Sequence, residues 1–309
     1  MVLKKKLSIY LIFILSVFFG FYFGENASGG AKIDYEYLLP FIKKFSIGFG
    51  PGLELFNNNQ GSSIHSPVFY IINGFFLKIT GSIFLIKIFY ILISCCLPYV
   101  FYLILKTKYK VENDYIFYFS LIIFLSPFFR GSAIWLLGDN LSLLFFSLSI
   151  LFFLKINDEK DKISNYYFCF LFLILCCYIR YYYCLFGIYF LYCFYKNLKN
   201  NDLLKILIFS FILLIPAFYY LFYIIINSNF FGTFVSVSSI NYYSNSLIIL
   251  SIFLFYLLPF VFIEIKTLIK YYKKKLKNVL IFFLPILILY LIDEYYFSSV
   301  INFSQSGGG

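Results

Sequence analysis

The chain has 309 residues, of which 62% are apolar, 25% are aromatic and only 13% are charged. A soluble domain carries about 25% charged residues, so this composition argues against a water-soluble protein and favours a membrane protein. The net charge of +11 does not indicate nucleic-acid binding, because the lysines fall in short clusters between apolar runs, as at membrane edges.

Long apolar runs predict the membrane spans, each of which needs about 20 apolar residues. The first run, Leu7 to Phe23, follows a basic start, and its length favours an uncleaved anchor over a signal peptide. After a polar segment, 24–66, further spans are predicted near 82–105, 115–129, 139–156, 166–180, 182–195, 206–226, 246–265 and 279–297. The sequence therefore predicts an all-α polytopic transmembrane helical bundle with about nine spans.

The first connecting segment, 24–81, is predicted to contain two short interfacial helices. In Tyr37–Phe45, apolar residues share one helical face while two lysines point to water. The second stretch, Pro67–Ile79, is too short to span a membrane comfortably and is interpreted as an interfacial or re-entrant helix. This segment is therefore expected to form a small structured layer.

The distribution of basic residues predicts the orientation. With the N-terminus in the cytoplasm, 18 of the 25 basic residues fall in cytoplasmic segments. The other seven are Lys32, Lys43, Lys44, Lys78, Lys87, Arg130 and Arg180. The positive-inside rule therefore places the N-terminus inside and segment 24–81 outside.

The distinctive polar residues collect on the predicted outer side of the membrane, the two arginines at the outer ends of spans. The set comprises both arginines, the only His, the only Trp and several acids: Arg130, Arg180, His65, Trp135, Glu25, Asp34, Glu36, Glu54 and Asp139. Ionisable groups near membrane depth are costly, so their concentration on one side indicates a functional site.

Simpler structural roles remain open for several of these residues. Asp34 and Glu36 could be solvated loop residues, the arginines could contact lipid headgroups, and Trp135 is typical of an interfacial anchor. Asp139 is also expected to cap a helix that begins at Leu141.

The order of four motifs resembles a known superfamily. An early acid lies in Gly30–Glu36, a His/Pro/aromatic motif in His65–Tyr70, a Pro-ended span with a short outer loop in Ser126–Asn140, and an Arg among aromatics in Tyr178–Tyr181. This arrangement resembles the GT-C superfamily of polyprenyl-phosphate-dependent glycosyltransferases, such as protein O-mannosyltransferases and aminoarabinose transferases. The resemblance covers 1–195, interpreted as a catalytic membrane module, and leaves 196–309 as additional transmembrane helices.

Two motifs depart from the family pattern. The family often has two adjacent acids in the first outer loop, whereas here one residue separates Asp34 from Glu36. The expected His-Pro-Pro is also replaced by His-Ser-Pro at His65. These departures leave open which of the two acids is catalytic.

The resemblance implies transfer of a sugar from a polyprenyl-phosphate donor to a lipid, glycan or protein acceptor on the outer face, with inversion. It implies that Asp34, or alternatively Glu36, is the general base. Arg180 and Arg130 would bind the lipid phosphate, His65 would bind the phosphate or the acceptor, and Asp139 would bind a sugar hydroxyl. No metal site and no cofactor are expected.

Two other function classes remain open from the sequence. A flippase for a lipid-linked sugar would need ionisable or helix-breaking residues at mid-membrane depth, and a polysaccharide polymerase or ligase would depend on outer arginines without the early acid. The expected location is a bacterial inner membrane, or the endoplasmic reticulum membrane in a eukaryote. Expected partners are the lipid donor, the acceptor and the bilayer, but no nucleic acid.

Overall fold

The computed structural model describes residues 2–26, 30–58, 67–110, 114–158 and 163–227, all of them within one compact unit, Met1–Ser228. The described residues form α-helices joined by short turns, with no strand among them. The helices are α1 (Val2–Tyr22), α2 (Ala31–Ile47), α3 (Phe49–Asn58), α4 (Val68–Thr80), α5 (Ile83–Tyr109), α6 (Asp114–Ser120), α7 (Pro127–Ile134), α8 (Gly138–Asp158), α9 (Ile163–Ile179), α10 (Leu185–Asn197) and α11 (Asn200–Asn227).

Several of these helices are long and apolar enough to cross a membrane. Three qualify alone, namely α5, Gly138–Ile156 of α8 and Asn201–Phe218 of α11, and a bent pair, α6 with α7, makes a fourth if it counts as one span. These helices indicate a membrane protein. The predicted number of nine spans remains a prediction, because the expected spans 246–265 and 279–297 lie outside the described residues.

The span predicted at 115–129 is not one continuous helix, because the chain breaks near its end. The chain forms α6 and a 3-10 turn, Leu121–Leu125, and then bends by 63° into α7. Pro127 disfavours a helical backbone at the residue before it, and Ser126 accordingly adopts an extended ψ of 123°. The Ser126 hydroxyl accepts a hydrogen bond from the Phe129 amide at 3.4 Å and so caps α7.

Helices α2, α3 and α4 form the small layer expected from the first connecting segment. As predicted, Ile42 and Phe45 are buried while Lys43 and Lys44 are exposed. However, α2 begins at Ala31, earlier than expected. The interpretation of Asp34 and Glu36 as loop residues is therefore wrong, because both lie in the first turns of this helix.

Helices α8 and α9 pack side by side, and α9 ends at Ile179, directly before Arg180. After Ile179, Arg180 adopts an extended backbone (φ −134°, ψ 95°) and a 3-10 turn, Tyr181–Cys184, leads into α10. With 13 residues, α10 is about 20 Å long, short of the ~30 Å hydrocarbon core. It does not by itself provide the span predicted at 182–195.

Candidate functional site

Three of the predicted site residues come together at the start of α8 and the end of α9. The Arg180 guanidinium contacts the Asp139 carboxylate, with 2.7 Å between Nη2 and Oδ1. The Asp34 carboxylate, from the first turn of α2, lies within electrostatic range of both residues. We call these three side chains the Arg180 cluster; they come from three helices distant in sequence.

The geometry of α8 brings Asp139 to Arg180. The helix begins at Gly138 rather than Leu141, so Asp139 lies within the first turn, and the prediction that it is the N-cap is wrong. A Cβ atom on Gly138 would lie 2.9 Å from Cγ2 of Ile179, a distance that real side chains do not tolerate without a shift. Glycine therefore permits the close approach of α8 to the end of α9, directly beside Arg180.

The Arg180 cluster is only partly closed to its surroundings. The Arg180 side chain is 14% exposed, whereas the side chain of Asp139 is 49% exposed. Asp139 thus presents an accessible carboxylate beside a largely buried guanidinium. A ligand that reaches this pair would meet a positive charge within a protein environment, where electrostatic interactions are stronger than in water.

Asp34 differs from Asp139 and Glu36 in its contacts with the residues that the structure describes. Among the described residues its carboxylate forms no ion pair and accepts no hydrogen bond from a side chain. Partial burial, followed by the negative charge of Asp139, raises the pKa of Asp34 above its ordinary value of 3.8, while Arg180 opposes this shift. The result is an uncommitted carboxylate that is more basic than an ordinary aspartate.

Glu36 lies away from this cluster. Residues two positions apart are separated by about 200° around a helix, so Asp34 and Glu36 face nearly opposite directions. Glu36 instead lies 3.9 Å from Lys32, one turn earlier on α2, and both side chains are exposed. Of the two candidate bases, only Asp34 lies beside Arg180.

Aromatic residues from three elements surround the Arg180 cluster. Tyr70 of α4 and the buried Tyr90 of α5 lie within electrostatic range of Arg180, and so does Tyr182 of the 3-10 turn. The ring of Tyr183 packs against Phe146 of α8, with 4.6 Å between the ring centroids. The cluster therefore continues into an apolar, aromatic surface on α8.

That surface is one wall of an apolar groove between α8 and α10, with a volume of about 580 Å³. Its lining residues are Phe146, Ile150, Phe153, Leu154, Leu185, Phe186, Tyr189 and Phe190. Two of the four lining residues on α10 are more than half exposed, Leu185 at 68% and Tyr189 at 56%. Phe146 follows Asp139 by about two helical turns, so the groove leads away from the Arg180 cluster along α8.

Arg130, the other predicted phosphate ligand, lies in a separate arrangement. Its Nε and Nη2 atoms donate to Glu25 at 2.6 and 2.5 Å, and its Nη1 and Nη2 atoms donate to the hydroxyl and carbonyl of Ser16 at 3.0 and 2.9 Å. These four hydrogen bonds tie α7 to the end of α1. We call this group the Arg130 tie; its contacts are those of a structural link, and the phosphate role predicted for Arg130 stays untested.

Sequence reasoning missed Lys87 and Tyr35, which lie between the Arg130 tie and the Arg180 cluster. The Lys87 ammonium lies 3.7 Å from the ring centroid of Tyr35 and 4.5 Å from that of Trp135. The Trp135 indole also donates a hydrogen bond of 2.7 Å to the Glu25 carbonyl. Trp135 is therefore packed between helices. The one feature of the sequence that pointed to this region was that Trp135 is the only tryptophan of the chain.

The remaining predictions about the site are not tested by these contacts. His65 lies outside the described residues. Among the residues that the structure does describe, no three His, Cys, Asp or Glu side chains gather as metal ligands would, and metal independence remains a prediction.

Comparisons with protein-family models, curated proteins and solved structures gave no match for this chain.

Proposed function

We propose that the protein is a membrane glycosyltransferase that moves a sugar from a polyprenyl-phosphate donor to an acceptor hydroxyl at the outer face of the membrane. The observation that carries the proposal is the Arg180 cluster, in which the uncommitted carboxylate of Asp34 lies beside the Arg180–Asp139 pair. A base and a phosphate-binding cation are the two groups that this reaction requires.

The orientation in this proposal is supported by the two ends of α1. Lys6, in the basic start, pairs with Asp114 at 2.6 Å, whereas Glu25, just beyond the other end, belongs to the Arg130 tie. Helix α1, with its 21 residues, separates these ends by about 30 Å. Because lysine-rich segments favour the cytoplasmic side, the opposite end of α1 is assigned to the outer face.

The apolar groove supports a lipid-linked donor rather than a soluble nucleotide sugar. A polyprenyl phosphate has an anionic head and a long apolar tail. The Arg180 guanidinium suits the phosphate, because its planar fork matches two phosphate oxygens, and the groove between α8 and α10 suits the tail.

In the proposed reaction, Asp34 accepts the proton of the acceptor hydroxyl as its oxygen attacks the anomeric carbon. The bond from that carbon to the phosphate oxygen breaks, and the lipid phosphate leaves with the bonding electrons, stabilised by Arg180. Attack from the face opposite the leaving group inverts the anomeric centre. Asp139 keeps Arg180 in place and offers its exposed carboxylate oxygen to a sugar hydroxyl.

A second candidate is a flippase for the same class of lipid. The bent pair of α6 and α7, broken at Ser126, supports this alternative, because discontinuous helices are common at the transport sites of membrane carriers. Pro127 and the Ser126 cap, however, explain the break, and the Arg130 side chain close to it is bound to Glu25 and Ser16. The break is therefore accounted for structurally, and the transferase is the better-supported proposal.

Mass spectrometry of lipids that co-purify with the protein tests the proposal. Wild type and Asp34→Asn are both expected to retain a polyprenyl-phosphate sugar, with only the wild type releasing free polyprenyl phosphate when membrane extract supplies the acceptor. Glu36→Gln is the matched control and is expected to behave as wild type. If none of the three proteins contains such a lipid, the proposal fails; if lipid is bound and moves across vesicles without sugar transfer, the flippase is correct.

A further inference from the structure

We propose that Lys87 is a positioning residue for Asp34, acting through the rings of Tyr35 and Trp135. This inference rests on the proposed function, because it assigns Asp34 the role of base. Lys87 lies in the first turns of α5, Tyr35 in α2, and Trp135 directly after α7. One ammonium group therefore connects three helical segments that have no sequence proximity.

The contacts of the ammonium group are cation–π contacts. It lies over the Tyr35 ring at 3.7 Å and over the Trp135 ring at 4.5 Å, and the two ring centroids are 5.8 Å apart. Within the described part of the chain, Lys87 forms no ion pair with a carboxylate. A desolvated cation over an aromatic face is attracted more strongly than an exposed one, so these two rings are the interactions that hold Lys87.

Tyr35 is the residue directly after Asp34, and this adjacency links the cation to the proposed base. Tyr35 is buried at 8% exposure, whereas Asp34 is an exposed residue whose carboxylate makes no hydrogen bond to the described residues. Nothing on the Asp34 side chain itself therefore fixes its place. The position of the Asp34 carboxylate follows that of the start of α2, where Tyr35 and Ala31 are buried and the Lys32 amide donates to Asn26.

Trp135, the other ring in contact with Lys87, is held by a hydrogen bond. The Trp135 indole donates to the Glu25 carbonyl, and the Glu25 carboxylate is bound by two hydrogen bonds from Arg130. Trp135 is thus bonded to Glu25, and Lys87 links Trp135 to Tyr35 of α2.

The test compares Lys87→Met, which keeps the length of the side chain but removes the charge, with Lys87→Arg, which keeps a cation. Lys78→Met is the matched control, since Lys78 is an exposed lysine at the end of α4. We expect Lys87→Met to lower kcat about tenfold without changing the KM for the lipid donor, and Lys87→Arg to stay within about threefold of wild type.

A second measurement uses Trp135, the only tryptophan of the chain. Its fluorescence emission is expected to shift in Lys87→Met and in Tyr35→Leu, but not in Lys78→Met, because only the first two change the surroundings of the indole. A wild-type kcat in Lys87→Met, or equal losses in kcat and donor affinity, overturns the positioning role. A wild-type protein with neither bound donor lipid nor transfer overturns the proposed function itself, and this inference with it.

Discussion

The two arginines of this chain are both largely buried, but the acids that they contact differ in exposure. Arg130 donates four hydrogen bonds to Glu25 and Ser16, and both partners of the ion pair are largely buried, at 16% and 25% exposure. Arg180 contacts Asp139, whose side chain is 49% exposed, and has the uncommitted Asp34 nearby. Both arginine side chains are largely buried, at 16% and 14% exposure, so the difference lies in the acids: Glu25 is 25% exposed and Asp139 is 49% exposed.

Residue type and position near a helix end therefore do not distinguish a binding arginine from a structural one. Both arginines sit near helix breaks, one after Ser126 and the other directly after Ile179. What separates them is the exposure of the acid that each one meets. The Arg130 tie is therefore expected to govern stability, and the Arg180 cluster is expected to govern activity.

The largest expected effect is the loss of transfer in Arg180→Ala. Removing a cation that stabilises the leaving phosphate is expected to lower the rate by about 10²–10³-fold. The rate would be measured in proteoliposomes with a synthetic polyprenyl-phosphate sugar. Arg180→Lys keeps the charge but loses the planar fork, and is expected to recover only part of the rate. A rate within threefold of wild type in Arg180→Ala would refute the assignment.

The next effect concerns stability and the other arginine. Arg130→Met leaves the mostly buried Glu25 carboxylate without its partner, at a cost of about 3 kcal/mol. For a domain of this size that lowers the thermal midpoint by roughly 6–12 °C, measured by thermal unfolding in detergent. The double variant Arg130→Met with Glu25→Gln removes both charges and is expected to recover most of the loss. An unchanged midpoint in the single variant would contradict the structural role.

A smaller effect is expected in the pH dependence of the rate. The carboxylate form of Asp34 is the active base, and partial burial together with Asp139 raises its pKa. The rate should therefore fall, as pH decreases, at a higher pH than for an ordinary aspartate. Asp139→Asn removes a charge that raises the pKa of Asp34 and leaves Arg180, which lowers it. The acid limb of the pH–rate profile, where the rate falls as pH decreases, should therefore move to lower pH. A limb that stays in place or moves upward excludes Asp34 as the titrating base.

The smallest expected effects come from replacing one glycine with alanine beside the Arg180 cluster and another beside the Arg130 tie. A Cβ atom on Gly138 would lie 2.9 Å from Ile179, and one on Gly20 would lie 2.2 Å from the Glu25 carboxylate and 2.8 Å from Arg130. We expect Gly138→Ala to lower the transfer rate several-fold with little change in thermal midpoint. Gly20→Ala should lower the midpoint by a few degrees with little change in rate. The reverse pattern would mean that the two regions have been assigned the wrong way round.

The sequence was sufficient to predict the helical class and two of the three short helices in 24–81, because their apolar residues recur at helical spacing. Helix α3 was not predicted, and the interfacial position of these helices remains a prediction. The pattern in Tyr37–Phe45 predicted which face of α2 is buried. It did not predict where α2 begins, since Lys32, Asp34 and Glu36 make the first turn as polar as a loop. The span was expected to end at Ser126 and Pro127, but the bend into a further helix, α7, was not predicted.

The candidate site was only partly predictable for a similar reason. Arg180 and Asp139 were singled out at the ends of apolar runs, and Asp34 as an early acid in the first outer segment. Nothing in the sequence indicates that the three residues meet. Arg130 was equally prominent, and the pairing with Glu25 depends on how α7 turns back onto α1. Lys87 was noted among the outer basic residues but was given no role in the site, because the sequence does not show that Tyr35 and Trp135 lie beside it.

The most direct test of the central claim is the amount of polyprenyl-phosphate sugar that co-purifies with two variants of equal purity. These are Arg180→Ala and the doubly neutral Arg130→Met with Glu25→Gln. The account predicts that the donor lipid is lost from the Arg180 variant and retained by the Arg130 double variant. If instead the Arg180 variant retains the lipid and the double variant loses it, Arg130 is the phosphate ligand, and the assignment of the site to the Arg180 cluster is wrong.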